Sequence, residues 1–229
     1  MATLFCVCFM LCSTLMMAQA STVCDIPRTC RDVKPDGNKY KVVTMYNEMT
    51  MLCEMETDSG GWTVIQKRIK GDVNFNRSWV EIKHEFGHFN GDYWFGLERV
   101  SHLTTLGRYE LYVSFDFNSK SYFARYSLFK VFPKEDKYAL RIGGYSGNAG
   151  DSLTYHNEMG FTTYDQDNDI SGHRNCAVRY KGPWWHRDCH QSNLNGIWGA
   201  TAFGEGTNWL ATTGHRASAS NIRMMIRAY

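Results

Sequence analysis

Alternation of apolar and polar residues is the clearest pattern in this chain, and it predicts several β-strands. In the run YELYVSFDF, Tyr109 to Phe117, every second side chain is apolar, which is typical of a half-buried strand. The run SYFARYSLF, residues 121–129, follows three residues later and is predicted to be its hairpin partner. WTVIQKR, Trp62 to Arg68, and YALRI, residues 138–142, are two further predicted strands. Short strands joined by turns indicate a compact domain.

The segment KHEFGHFNGDYW, residues 83–94, contains HEFGH, which matches the HExxH motif of zinc peptidases. That motif works when a helix places both histidines, here His84 and His88, on one face beside a glutamate. A catalytic zinc also needs a third protein ligand, and Trp94 stands where a metzincin has a histidine. Gly87 inside the helix disfavours it by about 1 kcal/mol relative to alanine. A zinc peptidase is therefore kept only as an unlikely alternative.

The stretch from Trp79 into this segment predicts a short helix on the protein surface instead. Its members would be Trp79, Ile82, Lys83 and Phe86, and it would end near Gly87. Just before this helix, Asn76-Arg77-Ser78 forms an N-glycosylation sequon. Asn76 is therefore a predicted glycosylation site.

The first twenty residues, MATLFCVCFMLCSTLMMAQA, predict a secretory signal peptide. They form an apolar run that ends in Ala18-Gln19-Ala20, the small-x-small pattern that signal peptidase cleaves. The apolar core from Leu4 to Met17 is too short to span a bilayer comfortably. We therefore expect residues 1–20 to be removed and the mature protein to be extracellular, with no membrane span.

Charge and composition narrow the class of protein further. The 229 residues suit one sizeable domain, and 25 basic against 23 acidic residues give a net charge of +2 with no long run of either sign. A nucleic-acid binder or a protein that binds acidic membranes normally carries a strong basic excess. These two classes are therefore not expected.

Secretion changes how the cysteines are interpreted. After removal of the signal, five remain: Cys24, Cys30, Cys53, Cys176 and Cys189. Cysteines pair in an oxidising compartment, and an odd count leaves one over. Spacing alone does not assign partners, although Cys30 lies close in the chain to Cys53, and Cys176 to Cys189. Cys24, near the new terminus, is then a candidate for an interchain disulfide, with an unpaired or capped thiol as the alternative.

An acidic run, Asp165-Gln166-Asp167-Asn168-Asp169, places three carboxylates at alternate positions. Clusters of oxygen ligands suit Ca²⁺, which accepts flexible geometry. The run is not an EF-hand, because that motif requires glycine at Ile170 and glutamate at Cys176. From composition alone, a solvated acidic turn remains an equal alternative.

Taken together, several longer stretches make the chain resemble a fibrinogen C-terminal-like domain. The resemblance spans about residues 30–227 and depends on CEMETDSGGWTVIQKR, GDYWFGLE, GDSLTYH, DQDND, NCAVRYKGPWW and CHQSNLNG. Within that family the chain is similar to the lectins of the ficolin and tachylectin group, and most closely to the microfibril-associated glycoproteins. In the family, the stretch that overlays HEFGH is a short helix running into a Phe-Gly turn, so the zinc motif is best explained as coincidence.

The resemblance implies the fold and its covalent framework. It indicates an α+β domain, residues 30–229, with a central twisted antiparallel sheet and a loop-rich part that binds calcium and ligand. Residues 21–29 would be a short N-terminal segment. The implied disulfides are Cys30–Cys53 and Cys176–Cys189.

The resemblance also implies a calcium site. Asp167 and Asp169 match the family's side-chain ligands, and backbone carbonyls near Ser171 and His173 would complete the coordination. This loop is one residue longer than is usual in the family.

The implied ligand site is an acetyl-binding pocket around Asp188-Cys189-His190. In relatives the peptide bond before this cysteine is cis, and the amides of the next two residues bind an acetyl carbonyl. The matching positions here are Tyr180, Cys189, His190, Phe203, Gly204 and His215. His215 replaces a usual Tyr or Trp, Gly204 lacks a methyl, and Ala217 and Ala219 replace further aromatics. We expect Trp184, Trp185 and Trp198 to serve packing.

The resemblance therefore predicts a secreted, non-enzymatic, calcium-dependent lectin. Its partners would be acetylated glycans of the N-acetylglucosamine type on microbes or matrix glycoconjugates, in innate immune recognition. The alternative is an extracellular-matrix protein that binds elastic-fibre components. Because one shallow pocket binds weakly, we expect several linked copies, starting from a disulfide-linked homodimer or a higher homo-oligomer.

Overall fold

The computed structural model describes residues 26–229. The predicted signal peptide and Cys24 lie outside the described residues. The chain divides after Gly61 into two compact units, the second of which runs from Trp62 to Tyr229.

The first unit is a small hairpin with one disulfide. Strand β1 (Tyr40–Thr44) pairs with β2 (Thr50–Glu54) in antiparallel register, Tyr40 opposite Glu54. Cys30 opens a short 3-10 turn and bonds to Cys53, which lies on β2, with a Cα–Cα distance of 5.4 Å. Both cysteines are completely buried, and this disulfide is the one that the resemblance implied.

The second unit is built around an antiparallel sheet. Its strands are β3 (Trp62–Arg68), β4 (Phe86–Gly87), β5 (Tyr93–Trp94), β6 (Tyr109–Phe117), β7 (Lys120–Val131), β8 (Leu140–Gly147), β9 (Ser192–Asn193), β10 (Asn208–Trp209) and β11 (Ser220–Ala228). The main order is β3–β11–β6–β7–β8, with every neighbouring pair antiparallel. The short β5 joins β3, and β4 joins β5, while β9 and β10 pair separately.

Four helices accompany the sheet: α1 (Trp79–Ile82), α2 (Leu97–Leu106), α3 (Cys176–Tyr180) and α4 (Leu210–Thr213). Only α2 is longer than five residues. It packs on β7, where the Thr104 hydroxyl accepts a hydrogen bond from the Val131 amide at 3.1 Å. The predicted α+β fold is confirmed, although the sequence patterns considered above did not predict α2. Between residues 26 and 229, none of the helices has the length and apolarity that crossing a membrane requires.

The alternating runs identified the main strands, but both ends of β7 and both ends of β8 differ from the predicted bounds of 121–129 and 138–142. The bounds of β3 and β6 are those predicted, and β7 is the hairpin partner of β6, with Phe117 opposite Lys120. The prediction for residues 138–142 starts too early. Lys137 and Tyr138 have φ values of 59° and 50°, which place them in a turn, so that β8 begins only at Leu140.

The predicted surface helix forms only over its first turn, which ends before the HEFGH segment begins. Helix α1 ends at Ile82, and Phe86 and Gly87 instead form β4. His84 and His88 therefore lie exposed on either side of a short strand, not on one helical face. No cluster of three or more His, Cys, Asp or Glu side chains suited to a metal occurs among residues 26–229. The geometry that HExxH chemistry requires is missing.

Candidate recognition site in the loop region

Residues 148–219, here called the loop region, connect β8 to β11 with little regular structure. A disulfide between Cys176, at the start of α3, and Cys189 closes part of it, with a Cα–Cα distance of 5.5 Å. This second disulfide is also the one implied by the resemblance. The Asp188–Cys189 peptide bond is cis, as expected.

The buried ring of His156 holds both sides of the Cys189 segment in place. Its Nε2 accepts hydrogen bonds from the amides of Gln191 and Ser192, at 3.2 and 3.1 Å. Its Nδ1 therefore carries the proton and donates to the Trp185 carbonyl at 2.6 Å. Burial lowers the pKa of His156 to about 3, which keeps the ring neutral. No motif in the sequence indicated this role.

The amides of Cys189 and His190 are neighbouring donors that form no hydrogen bond with any acceptor in residues 26–229. The carbonyl of the preceding residue, Asp188, accepts a hydrogen bond from the Tyr155 hydroxyl at 3.0 Å. The segment is therefore fixed by its other polar groups while these two donors stay available. Such a pair of adjacent amides suits a carbonyl oxygen of a ligand.

Four side chains beside these amides form a continuous series of ring contacts, here called the aromatic row. Ring centroids are 4.7 Å apart for Tyr180 and His190, 5.1 Å for His190 and His215, and 4.9 Å for His215 and Phe203. Tyr180 ends α3, His190 follows the disulfide, and Phe203 and His215 come from two later loops. The structure thus brings together the pocket positions that the resemblance implied, including the unusual His215.

Gly204 is the backbone support of the aromatic row. Its φ is +76°, and a Cβ atom there would lie 2.5 Å from Cδ1 of Tyr180 and 3.1 Å from Cε1 of His190. Its amide donates to the His215 carbonyl at 2.8 Å, and its carbonyl accepts from Asn193 Nδ2 at 3.2 Å. Glycine at this position therefore does more than remove a methyl group, because the Tyr180 ring occupies the space.

The two histidines of the row keep ring nitrogens without protein partners. His190 is only 7% exposed, yet neither of its buried nitrogens has a hydrogen-bond partner, and the same holds for the buried Nδ1 of His215. Burial lowers the pKa of both rings, that of His190 well below its ordinary value. Unpaired buried polar atoms are costly, and the side chain of Asn208 lies close enough to His190 to raise its pKa against the effect of burial.

The acidic run forms a loop in which two carboxylates accept hydrogen bonds from backbone amides. The Asp169 carboxylate accepts the amides of Ser171 at 2.9 Å and Cys176 at 2.8 Å, and Asp167 accepts the amide of Asp169 at 3.2 Å. Burial, and secondarily the nearby Asp167, raises the pKa of Asp169. The buried hydroxyl of Ser171 has no partner. A set of oxygen atoms with uncompensated negative charge fits Ca²⁺.

The side chains of Asp165 and His173, near Asp167 and Asp169, have other partners. Asp165, the first acid of the run, accepts hydrogen bonds from the Trp79 amide at 2.8 Å and the Thr163 hydroxyl at 2.7 Å, which assigns it to packing. The side chain of His173 is exposed and contacts the Arg174 guanidinium. Calcium coordination by the carbonyls of Ser171 and His173 stays a prediction.

The remaining predicted positions have mixed outcomes. Trp184 and Trp185 are buried core residues, as expected, whereas Trp198 is only half-buried. Ala219 is buried, and the Ala217 carbonyl accepts from Asn208 Nδ2 at 2.7 Å. Asn76 lies half-buried before α1, and its glycosylation stays a prediction.

An antiparallel sheet followed by a loop region with its own disulfide and an acidic loop defines a fibrinogen-like globular domain. The family model for the C-terminal globular domain of fibrinogen beta and gamma chains matches residues 26–229, and the chain belongs to this family.

Relatives of known name carry the same domain within longer chains. Tenascin-R of Rattus norvegicus is 42% identical over 183 residues, which are 80% of this chain and 13% of that protein. Fibrinogen C domain-containing protein 1 of Homo sapiens is 47% identical over 186 residues, 77% of this chain and 40% of that protein. The chain thus spans far less than two thirds of these relatives.

Solved structures confirm the fold. The fibrinogen-like globe domain of human ANGPTL2 superposes with a TM-score of 0.81 at 40% identity, covering 88% of this chain and 98% of that chain. The corresponding domain of human ANGPTL6 gives 0.83 at 37% identity, covering 89% and 98%. The nearer likeness to ficolins, tachylectins and microfibril-associated glycoproteins stays a prediction.

Proposed function

We propose that this chain is a calcium-stabilised extracellular recognition domain that binds acetylated saccharides of the N-acetylglucosamine type and performs no covalent chemistry. The observation that carries the proposal is the pair of unpaired amides at Cys189 and His190 beside the aromatic row. An acetyl carbonyl oxygen would accept from these amides, and the acetyl methyl would lie against Tyr180 and Phe203. Phe203 is 44% exposed, which is high for so large an apolar ring and suits a ligand contact.

Calcium would act by supporting the position of Cys189. Asp169 accepts the Cys176 amide, and Cys176 is bonded to Cys189. The Ile170 amide also donates to the Arg187 carbonyl at 3.2 Å, one residue before the cis peptide. A cation on Asp167 and Asp169 would neutralise the carboxylates and hold this connected set of loops in one arrangement.

The proposal is tested by measuring binding to immobilised N-acetylglucosamine and to glucosamine, which lacks the acetyl group. We expect calcium-dependent binding to the acetylated sugar that is lost in chelator. Phe203→Ala should weaken it about tenfold, because an exposed aromatic contact is removed. Leu210→Ala is the matched control, since Leu210 is 37% exposed in the same region but lies outside the aromatic row. Equal binding to both sugars, or to neither, would refute the acetyl site.

A second candidate is recognition of extracellular-matrix proteins such as elastic-fibre components. The observation in its favour is a set of exposed apolar side chains around the acidic loop and α3: Tyr164 at 44%, Ile170 at 57% and Val178 at 47% exposed. Large exposed apolar side chains of this kind suit contacts with a protein partner more than with a sugar. In that case a matrix protein would bind without competition from N-acetylglucosamine.

A further inference from the structure

A cavity of about 260 Å³ lies between the loop that follows β3 and residues 195–198, outside the aromatic row. Its lining includes Arg68, Phe75, Asn76 and Trp198. Pockets that hold a whole small-molecule ligand usually measure about 300–1,000 Å³. This cavity therefore suits a smaller group, such as a single sugar residue.

Trp198 forms a fixed but partly open wall of the cavity. The Arg68 guanidinium contacts two of the aromatic rings, with its Cζ 4.2 Å from the centroid of Phe75 and 5.8 Å from that of Trp198. Gly71 packs against the indole, because a Cβ atom at this position would overlap with Trp198 Cδ1. The Trp198 side chain is nevertheless only half-buried. An indole that is held in place and partly open is suited to contact with a ligand.

The charges around the cavity are balanced. Its charged lining residues are Arg68, Asp72 and Lys181, of which the last two are exposed and of opposite sign. Arg68 is only 2% exposed, and the Asp92 carboxylate lies 3.8 Å from its Nε. A cavity without excess charge favours a neutral occupant over an ion.

Asn76, the acceptor residue of the predicted sequon, belongs to this lining. Its backbone amide donates to Asn74 Oδ1 at 2.9 Å, which fixes the turn before α1. Its side-chain Oδ1 is buried without a partner, whereas its Nδ2 keeps solvent access and forms no hydrogen bond within residues 26–229. In a sequon the glycan is attached to this amide nitrogen. A glycan on Asn76 would therefore begin at the cavity.

We propose that the cavity holds the first N-acetylglucosamine of a glycan attached to Asn76, with the sugar ring against Trp198. Attachment forms a C–N bond between Nδ2 and the anomeric carbon of the sugar. Nδ2 loses one proton, and the lipid diphosphate that carries the oligosaccharide leaves the anomeric carbon.

The bound sugar would satisfy polar atoms that the protein leaves unpaired. The Asn76 Oδ1 is an acceptor, and Arg68 Nε is a buried donor without a hydrogen bond. A sugar hydroxyl both donates and accepts, so it can bond to either atom. Because the sugar belongs to the same molecule, its effective concentration at the cavity is high. The glycan would thus stabilise the loop after β3 against residues 195–198.

The experiment compares glycoforms of the secreted protein. Asn76-Arg77-Ser78 is the only sequon in the sequence, so an endoglycosidase that trims N-glycans leaves one N-acetylglucosamine, on Asn76. Mass spectrometry should find Asn76 occupied, and the trimmed protein should melt about 2–4 °C above Asn76→Gln. Trp198→Ala should abolish this gain, because the sugar loses its wall. Asn76→Gln is preferred to a change at Ser78, whose hydroxyl caps α1 by accepting from the Glu81 amide at 3.3 Å.

Trp79→Ala is the matched control, because Trp79 is also half-buried and follows Asn76 by three residues but does not line the cavity. It should lower the Tm of both glycoforms equally and leave the gain intact. If Trp198→Ala is not secreted, Trp198→Leu gives the same comparison, since leucine fills space without offering a flat ring.

A second measurement does not depend on stability. Enzymatic removal of the glycan from the native protein should be several times faster in Trp198→Ala than in the wild type or Trp79→Ala, because a docked sugar shields its own bond. An unoccupied Asn76, no gain in Tm, or a gain that survives Trp198→Ala would overturn the proposal, as would a gain that Trp79→Ala removes equally. The acetyl site is unaffected by these outcomes, since Trp198 is not part of the aromatic row.

Discussion

The sheet and the loop region of the second unit satisfy their polar backbone groups in different ways. In the sheet, β6 pairs with β7 and β11 along nearly its whole length, so the backbone groups bond to one another. In the loop region, buried side chains take over that role: Asn193 Nδ2 donates to two carbonyls, and Asn195 Nδ2 donates to the Pro183 carbonyl at 2.9 Å. The sheet depends on apolar burial, and the loop region on particular polar residues.

This difference determines what each region is sensitive to. Apolar packing responds mainly to changes in side-chain volume. A network of buried polar groups responds to protonation, to loss of a single partner and to the presence of a cation. The site residues are therefore held by the part of the molecule that solution conditions can alter most.

The largest effect is expected from a cavity in the sheet. Phe129→Ala on β7 should lower the free energy of unfolding by about 3–5 kcal/mol, because Phe129 is only 1% exposed. Its neighbour Leu128 is 44% exposed, so Leu128→Ala should cost well under half as much. Chemical denaturation of both variants checks the contrast. Similar losses would show that burial does not dominate in the sheet.

Acid should destabilise the protein through the loop region. Burial lowers the pKa of His156 to about 3 and that of His186 to about 4, from 6.5 in the unfolded chain. As the pH is lowered from 7 to 5, the unfolded state therefore takes up protons that the folded state does not. The free energy of unfolding should decrease by about 2–4 kcal/mol over this range. Denaturation curves at several pH values measure this slope.

A conservative variant identifies the source of that slope. His186 Nε2 donates to the Gly182 carbonyl at 2.8 Å while its Nδ1 has no partner, so that His186→Gln can keep the bond without the titration. We expect the free energy of unfolding of this variant to depend less on pH. His102→Gln is the control, because His102 is exposed, and it should retain the whole pH dependence. An unchanged slope in His186→Gln would rule out this histidine as the source.

Calcium should stabilise the protein by about 2.7 kcal/mol at a concentration one hundred times its Kd. Because the pKa of Asp169 is raised, its ionisation opposes folding when no cation is bound, and calcium-free stability falls as pH rises through this titration. Asp169→Asn should remove the calcium-dependent shift in Tm. Asp165→Asn should preserve it, since Asp165 bonds to Trp79 and Thr163 instead. Identical shifts in both variants would exclude the proposed ligands.

The smallest effect on stability is expected at Gly204, although its effect on binding should be large. Gly204→Ala places a methyl against Tyr180 and His190 at a φ that costs other residues about 1–2 kcal/mol. The Tyr180 ring must move, so the affinity for N-acetylglucosamine should change strongly. Gly214→Ala is the control, because Gly214 has open space around it and a φ of +66°, so that this variant tests backbone strain alone. Matching affinities in the two variants would show that the row does not form the site.

Prediction from sequence succeeded where a single periodicity governed the residues. The alternation in β6 fixed its bounds, because its second half buries every other side chain, whereas β3 is buried on both faces and was bounded by the turn before it. It failed at Phe86, where pairing of β4 with β5 replaced a weak helical pattern that Gly87 interrupts. The chain alone also gave no indication of His156, since its three hydrogen bonds join residues 29 to 36 positions away.

By itself, the sequence determined the main strands, and its family resemblance determined the two disulfides and the positions of the candidate site. Only the tertiary structure decided that Tyr180, His190, Phe203 and His215 form one row, that Asn76 and Trp198 line one cavity, and that Gly204 must remain a glycine. The strands could be predicted because their patterns are local and periodic. Contacts between irregular loops depend on the path of the whole chain.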